Sequence, residues 1–135
     1  MSILIYAESA EGKIKKVAFE LASYANKIAQ TLGTSVTALT INVSDVSELS
    51  KYGVSKALKV SNDQLNHFSA KAYADVVKQA AIKEGAKVVV VSSTTDSLYF
   101  APLLAVGLHA GFASNVVGLP ISTSPFQVKR TAFSN

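Results

Sequence analysis

The sequence predicts an α/β fold, an open parallel-sheet sandwich of three layers with helices on both faces, and three observations point there. The run Val88-Val89-Val90-Val91 is apolar on both faces, as an interior strand of a parallel sheet must be. Strand-like and helix-like segments alternate along the chain with short turns between them. Ser97 to Val128 carries no Asp, Glu, Lys or Arg, although the chain has 13 Lys plus Arg and 9 Asp plus Glu. A helix without charge on any face has to be covered on more than one side, by its own domain or by something packed on it.

The elements follow in order. Ile3 to Ala7 is a first strand, and Glu8 to Lys13, containing Gly12, is the turn after it. Ile14, Val17, Ala18, Leu21, Ala25, Ile28, Ala29 and Leu32 recur at spacings of three and four, which predicts a helix ended by Gly33. Ser35 to Ile41 alternates as a second strand. Asp45 to Tyr52 reads as a short helical piece before Gly53, Ala57 to Val60 as a third strand, and Asn62 to Asn66 as a polar connector. A helix over Ser69 to Glu84 places Tyr73, Val76, Val77, Ala80 and Ala81 on one stripe and stops at Gly85; Lys87 to Val91 is then the fourth strand. A helix from Leu98 to Ala110, a strand from Asn115 to Leu119 and a terminal strand from Phe126 to Phe133 complete the alternation. A last strand with Phe126, Val128 and Phe133 uncovered invites aggregation, so the natural polypeptide is expected to continue.

At 135 residues the chain suits one domain with a real core. Its net charge of +4 is scattered over helix surfaces and includes only one arginine, Arg130, which argues against a nucleic-acid reader. No cysteine is present, excluding disulfides and thiolate chemistry within these residues. Leu98 to Leu119 is long enough for a bilayer, but Pro102, Gly107, His109, Gly111, Ser114, Asn115 and Gly118 interrupt it, so no membrane insertion is expected. Met1-Ser2 leads directly into an apolar strand without a basic leader, which fits a cytoplasmic protein.

The residue chemistry supplies no catalytic set, no metal ligands and no cofactor-binding residues. Ser92-Ser93-Thr94-Thr95-Asp96 lies where open α/β sheets bind ligands, and its hydroxyls and N–H groups suit a phosphate. The simpler reading is that Thr95 or Asp96 caps the next helix. No GxGxxG or GxxxxGK[ST] occurs. His67 reads as a solvent-facing connector residue, and His109 as a packed or interfacial one. Glu8 and Glu11 fall near the same sheet edge as Thr94, yet read as solvated turn carboxylates. Tyr99 and Phe100 suit core or interface better than a flat cofactor.

Ile3-Leu4-Ile5-Tyr6-Ala7-Glu8, Lys87-Val88-Val89-Val90-Val91-Ser92-Ser93-Thr94-Thr95, Phe100-Ala101-Pro102-Leu103-Leu104-Ala105 and the tail Phe126 to Phe133 occur in the order that resembles one family. It is the N-terminal domain of the electron transfer flavoprotein alpha subunit. The resemblance implies a Rossmann-like, adenine nucleotide alpha hydrolase-like fold over residues 1–120, with 121–135 starting a strand toward a C-terminal FAD domain that these residues lack. It implies an electron carrier rather than an enzyme, holding one FAD mainly through that C-terminal domain. It further implies a beta subunit as partner, acyl-CoA and other dehydrogenases as donors, a quinone reductase or other acceptor, and a place in fatty acid oxidation or another pathway. A eukaryotic member belongs in the mitochondrial matrix, though no transit peptide is seen. The family's structural AMP belongs to the beta subunit, so no residue here inherits it. The alternative is a stand-alone nucleotide-binding module resembling universal stress proteins. Those bind ATP through a glycine-rich segment after the fourth strand, whereas Ser92 to Ser97 has no glycine.

Overall fold

The computed structural model describes residues 2–86, 88–92, 94–107, 122–123 and 126–127. Strand β1 (Ser2–Tyr6) is buried along its whole length and is the interior strand the apolar N-terminus predicts. It leads into a small antiparallel hairpin, β2 (Ser9–Ala10) and β3 (Lys13–Ile14), where sequence suggests only a turn. Its two tip residues, Glu11 and Gly12, have φ of 53° and 79°. Positive φ at both positions is the tight two-residue turn that matches strand twist, and glycine takes the second place without strain. Because Ile14 pairs in the hairpin, helix α1 begins two residues later than periodicity suggests, at Lys16–Leu32.

Beyond α1 come β4 (Ser35–Ile41), a 3-10 turn over Ser47–Tyr52 and β5 (Val54–Val60). Helix α2 (Ala70–Glu84), β6 (Val88–Val90) and helix α3 (Thr95–Gly107) follow. Gly33 and Gly85 end α1 and α2 as the sequence predicts. The third strand is longer than the four residues expected because Val54, Ser55 and Lys56 also belong to it. Lys56 Nζ reaches the Glu84 carboxylate at 3.0 Å, and Lys59 Nζ donates to the Ser44 carbonyl at 2.7 Å. Lysine on an outer strand also blocks pairing with other chains.

The four parallel strands lie in the order β5-β4-β1-β6. From β1 the chain steps through β4 to β5, then returns across the sheet to β6 on the far side of β1. Right-handed crossovers running in opposite directions put their helices on opposite faces. Accordingly Ile3, Ile5, Val36 and Ala38 pack on Ala18, Leu21, Ala25 and Ile28 of α1. Leu4, Tyr6, Leu39 and Ile41 pack on Val77 and Ala81 of α2 and on Phe100 and Leu104 of α3. The expected three-layer α/β sandwich is thus the observed one.

Phe126–Gln127 forms β8 and pairs with β7 (Ser122–Thr123) rather than standing alone. The predicted strand Asn115 to Leu119, residues 108–110 of the predicted helix including His109, and Val128 to Phe133 lie outside the described residues. No helix among the described residues is long and apolar enough to cross a membrane.

Candidate functional site

The order of the strands makes the gap between β1 and β6 the point where the chain's direction of travel reverses. In open α/β sheets the crevice at the carboxyl ends of two such strands is where ligands sit. Glu8 follows β1, Thr94 follows β6, and α3 starts beside them.

Glu8 is not the solvated turn carboxylate that sequence suggests; it is 2 % exposed. Its Oε1 accepts hydrogen bonds from Thr94 Oγ1 and from Ser97 Oγ, the latter at 2.7 Å, across 86 and 89 residues of sequence. Its Oε2 accepts from Lys15 Nζ at 3.2 Å. The β2–β3 hairpin makes this possible by bringing the chain back on itself, so that the Lys15 N–H also donates to the Glu8 carbonyl at 2.9 Å. A buried charge needs such a partner, because desolvation alone costs several kcal/mol. Glu11, by contrast, is exposed at the hairpin tip, as expected.

Helix α3 starts at Thr95, three residues before the predicted Leu98, and this shifts its cap. Thr94, not Thr95 or Asp96, is the capping residue: its Oγ1 accepts from the Ser97 N–H at 3.4 Å while donating its own proton to Glu8. Thr95 and Asp96 therefore belong to the first helical turn. Ser97 donates to the same carboxylate, closing a ring of hydrogen bonds that locks the start of α3 to the end of β1.

Beside this ring stands an aromatic cluster. Tyr6 meets Phe100 edge-on with ring centroids 5.5 Å apart and Tyr73 at 6.1 Å, and Phe68 packs on Tyr73 at 5.0 Å. Burial, followed by Tyr73, Glu8 and Asp96, pushes the Tyr6 hydroxyl well above its ordinary value, so it stays neutral. Phe100 is fully buried and belongs to the core, so it offers no ring to a cofactor.

The outward side of α3 is different in kind. Ser97, Phe100, Ala101 and Leu104 are buried at helical spacing, whereas Tyr99 and Leu103 are 66 % and 49 % exposed, with Pro102 exposed between them. The helix thus presents apolar side chains on both sides, one to the core and one outward. Sequence could not divide them, because a helix apolar all round has no hydrophobic stripe to read.

The chemistry available at the switch point is limited. Ser97 is 1 % exposed and Ser92 6 %, so neither hydroxyl is presented to a substrate from solvent. The place a diphosphate would take is occupied by the Glu8 carboxylate, held by Thr94, Ser97 and Lys15. His67 is exposed in its connector, as expected. Among the described residues no group of three His, Cys, Asp or Glu is placed to hold a metal ion. A cleft of about 500 Å³ lies away from the switch point, against α1 and the 3-10 turn, where Phe19 and Tyr52 stack 4.8 Å apart beside Lys16 and Lys27.

A parallel sheet of this strand order between two layers of helix defines a Rossmann-like domain. The family model described as "Electron transfer flavoprotein domain" matches residues 3–135. The electron transfer flavoprotein subunit alpha of Megasphaera elsdenii is 32 % identical over 123 residues, covering 88 % of this chain and 36 % of that protein. The LctC subunit of the lactate dehydrogenase (NAD(+),ferredoxin) of Acetobacterium woodii is 31 % identical over 116 residues, 84 % of this chain and 28 % of that one. The acryloyl-CoA reductase electron transfer subunit beta of Anaerotignum propionicum is 26 % identical over 127 residues, 92 % and 35 % respectively. The chain belongs to the electron transfer flavoprotein family and corresponds to the N-terminal domain of its alpha subunit, as the sequence resemblance implies. It spans about a third of the length of these relatives.

Proposed function

We propose that this chain is the scaffold and subunit-interaction domain of an FAD-containing electron transfer flavoprotein, with residues 1–120 forming the domain and 121–135 leading away from it. Its role is to fix the geometry of a companion subunit, the family's beta subunit, while the flavin is held by residues outside these 135. The observation that carries this reading is the outward apolar face of α3, Tyr99 and Leu103, inside a stretch of sequence without charge. Large exposed apolar side chains grouped together mark places where another protein packs. The switch point, filled by Glu8, is consistent with a flavin bound elsewhere.

In the assembly so formed, FAD supplies the redox chemistry and this chain's residues supply position. Electrons pass from dehydrogenases, acyl-CoA dehydrogenases among them, to a quinone reductase or another acceptor. The relatives' names, an acryloyl-CoA reductase and a lactate dehydrogenase using NAD(+) and ferredoxin, widen the acceptors and donors worth testing beyond fatty acid oxidation. The complex is placed in the cytoplasm as part of the same proposal. The test is spectroscopic: the purified 135-residue chain is expected to show no flavin absorbance, and the full-length protein with its companion subunit to show it. Stoichiometric flavin on the 135-residue chain refutes the reading.

A further inference from the structure

The polar ring around Glu8 carries an inference that needs no knowledge of the partner. A helix start leaves N–H groups unbonded and favours negative charge, and in folds of this shape a ligand's phosphate commonly supplies it. Here the anion beside the start of α3 is a side chain. The Glu8 carboxylate is 2 % exposed and takes donors on both oxygens: the hydroxyls of Thr94 and Ser97 on one, the Lys15 ammonium on the other. Two hydroxyls, an ammonium group and a helix start around an oxyanion make the donor set of an anion-binding site. Ser92 Oγ, buried at the same end of β6 with no hydrogen-bond partner, leaves one further polar group there unused.

We propose that Glu8 is a built-in ligand, a tethered carboxylate that fills the anion site at the switch point and so denies it to phosphate groups. Removing the side chain beyond Cβ opens that site to a free anion. The space left is that of one carboxylate, and Asp96 in the first turn of α3 adds a second acidic side chain, so the class expected is a small monocarboxylate such as formate or acetate. A nucleotide phosphate carries more charge and is disfavoured in both the native and the opened site.

The experiment is chemical rescue in the full-length protein with its companion subunit. Thermal unfolding of wild type, Glu8→Ala and Glu8→Gln is followed in sodium formate against sodium chloride at equal ionic strength. Wild type should not distinguish the two salts. Glu8→Ala should melt lower in chloride and regain a large part of the loss in formate, saturably with concentration. Glu8→Gln leaves no cavity for an anion and should not respond. If Glu8→Ala yields no soluble protein in chloride, recovery of folded protein only in formate supports the proposal, and failure in both salts overturns it. It is also overturned if the formate response of Glu8→Ala is absent or unsaturable, or if Glu8→Gln responds equally. Loss of subunit association leaves these outcomes untouched, so the two readings fail separately.

Discussion

Replacing Phe100 by Ala and, separately, Tyr99 by Ala tests the division of α3 into an inward and an outward side. Phe100 is fully buried between Tyr6 and Phe68, with ring centroids 5.5 and 6.4 Å away. Truncating a buried phenylalanine costs about 3–5 kcal/mol in lost transfer energy and cavity, and the aromatic contacts put this site in the upper part of that range. About 4 kcal/mol, spread over an unfolding entropy of roughly 0.28 kcal/mol/K for a domain this size, lowers Tm by roughly 14 °C. Set against a total stability of about 5–15 kcal/mol, that leaves the domain close to unfolding. Tyr99, the next residue, is 66 % exposed, and its truncation should change stability by no more than about 0.5 kcal/mol, or roughly 2 °C. Circular dichroism melts of the two variants decide the matter. Equal losses, or a larger loss for Tyr99→Ala, refute the orientation of α3 and the docking face argued from it.

Other consequences follow from single contacts. Gly53 has φ of 91°, and a Cβ there would lie 2.4 Å from Asn26 Cγ, so Gly53→Ala should cost at least about 1–2 kcal/mol by denaturant titration. Asn42, at φ 57°, donates Nδ2 to the Asn62 carbonyl and Asn66 Oδ1 and accepts the Asn62 N–H on Oδ1, at 2.8–2.9 Å. Asn42→Ala should therefore destabilise by about 1–3 kcal/mol and speed amide exchange in the connector after β5. The raised Tyr6 hydroxyl makes the folded state hold a proton that the unfolded chain loses near pH 10, so stability falls as pH rises above that value. Tyr6→Phe should flatten the alkaline limb of the stability profile; an unchanged limb contradicts the assignment. Asp45 behaves in the opposite sense. Hydrogen bonds from the Ser47 hydroxyl and N–H hold its carboxyl below the usual range, so its contribution is present above pH about 4 and is lost as pH falls through the lowered folded-state value. Asp45→Ala should flatten the acid limb.

The framework was legible where local pattern and tertiary role coincide. Apolar periodicity and a terminal glycine define α1 and α2, and the runs Ile3 to Ala7 and Val88 to Val91 announce strands covered on both faces. In the sequence the hairpin shows only as a turn, because two-residue strands carry too few positions for alternation to register. The front half of β5 carries no strand pattern because an outer strand tolerates Ser55 and Lys56 where an interior one does not. The role of Glu8 is hidden in the sequence for a deeper reason. Its partners Thr94 and Ser97 lie 86 and 89 residues away, so no spacing rule joins them; only the strand order brings the ends of β1 and β6 together. A carboxylate directly after the first strand and hydroxyls directly after the strand across the reversal were the available signal. Lys15, apparently one lysine among many on a solvated helix face, acquires its role only through the hairpin.

The central claim is that the outward side of α3 is covered by a companion subunit. The most direct measurement is co-purification of the full-length Tyr99→Asp, Leu103→Asp double variant with that subunit, expressed together, with circular dichroism confirming an intact fold. The account predicts a folded protein that emerges alone. Recovery of the complex at wild-type yield contradicts it.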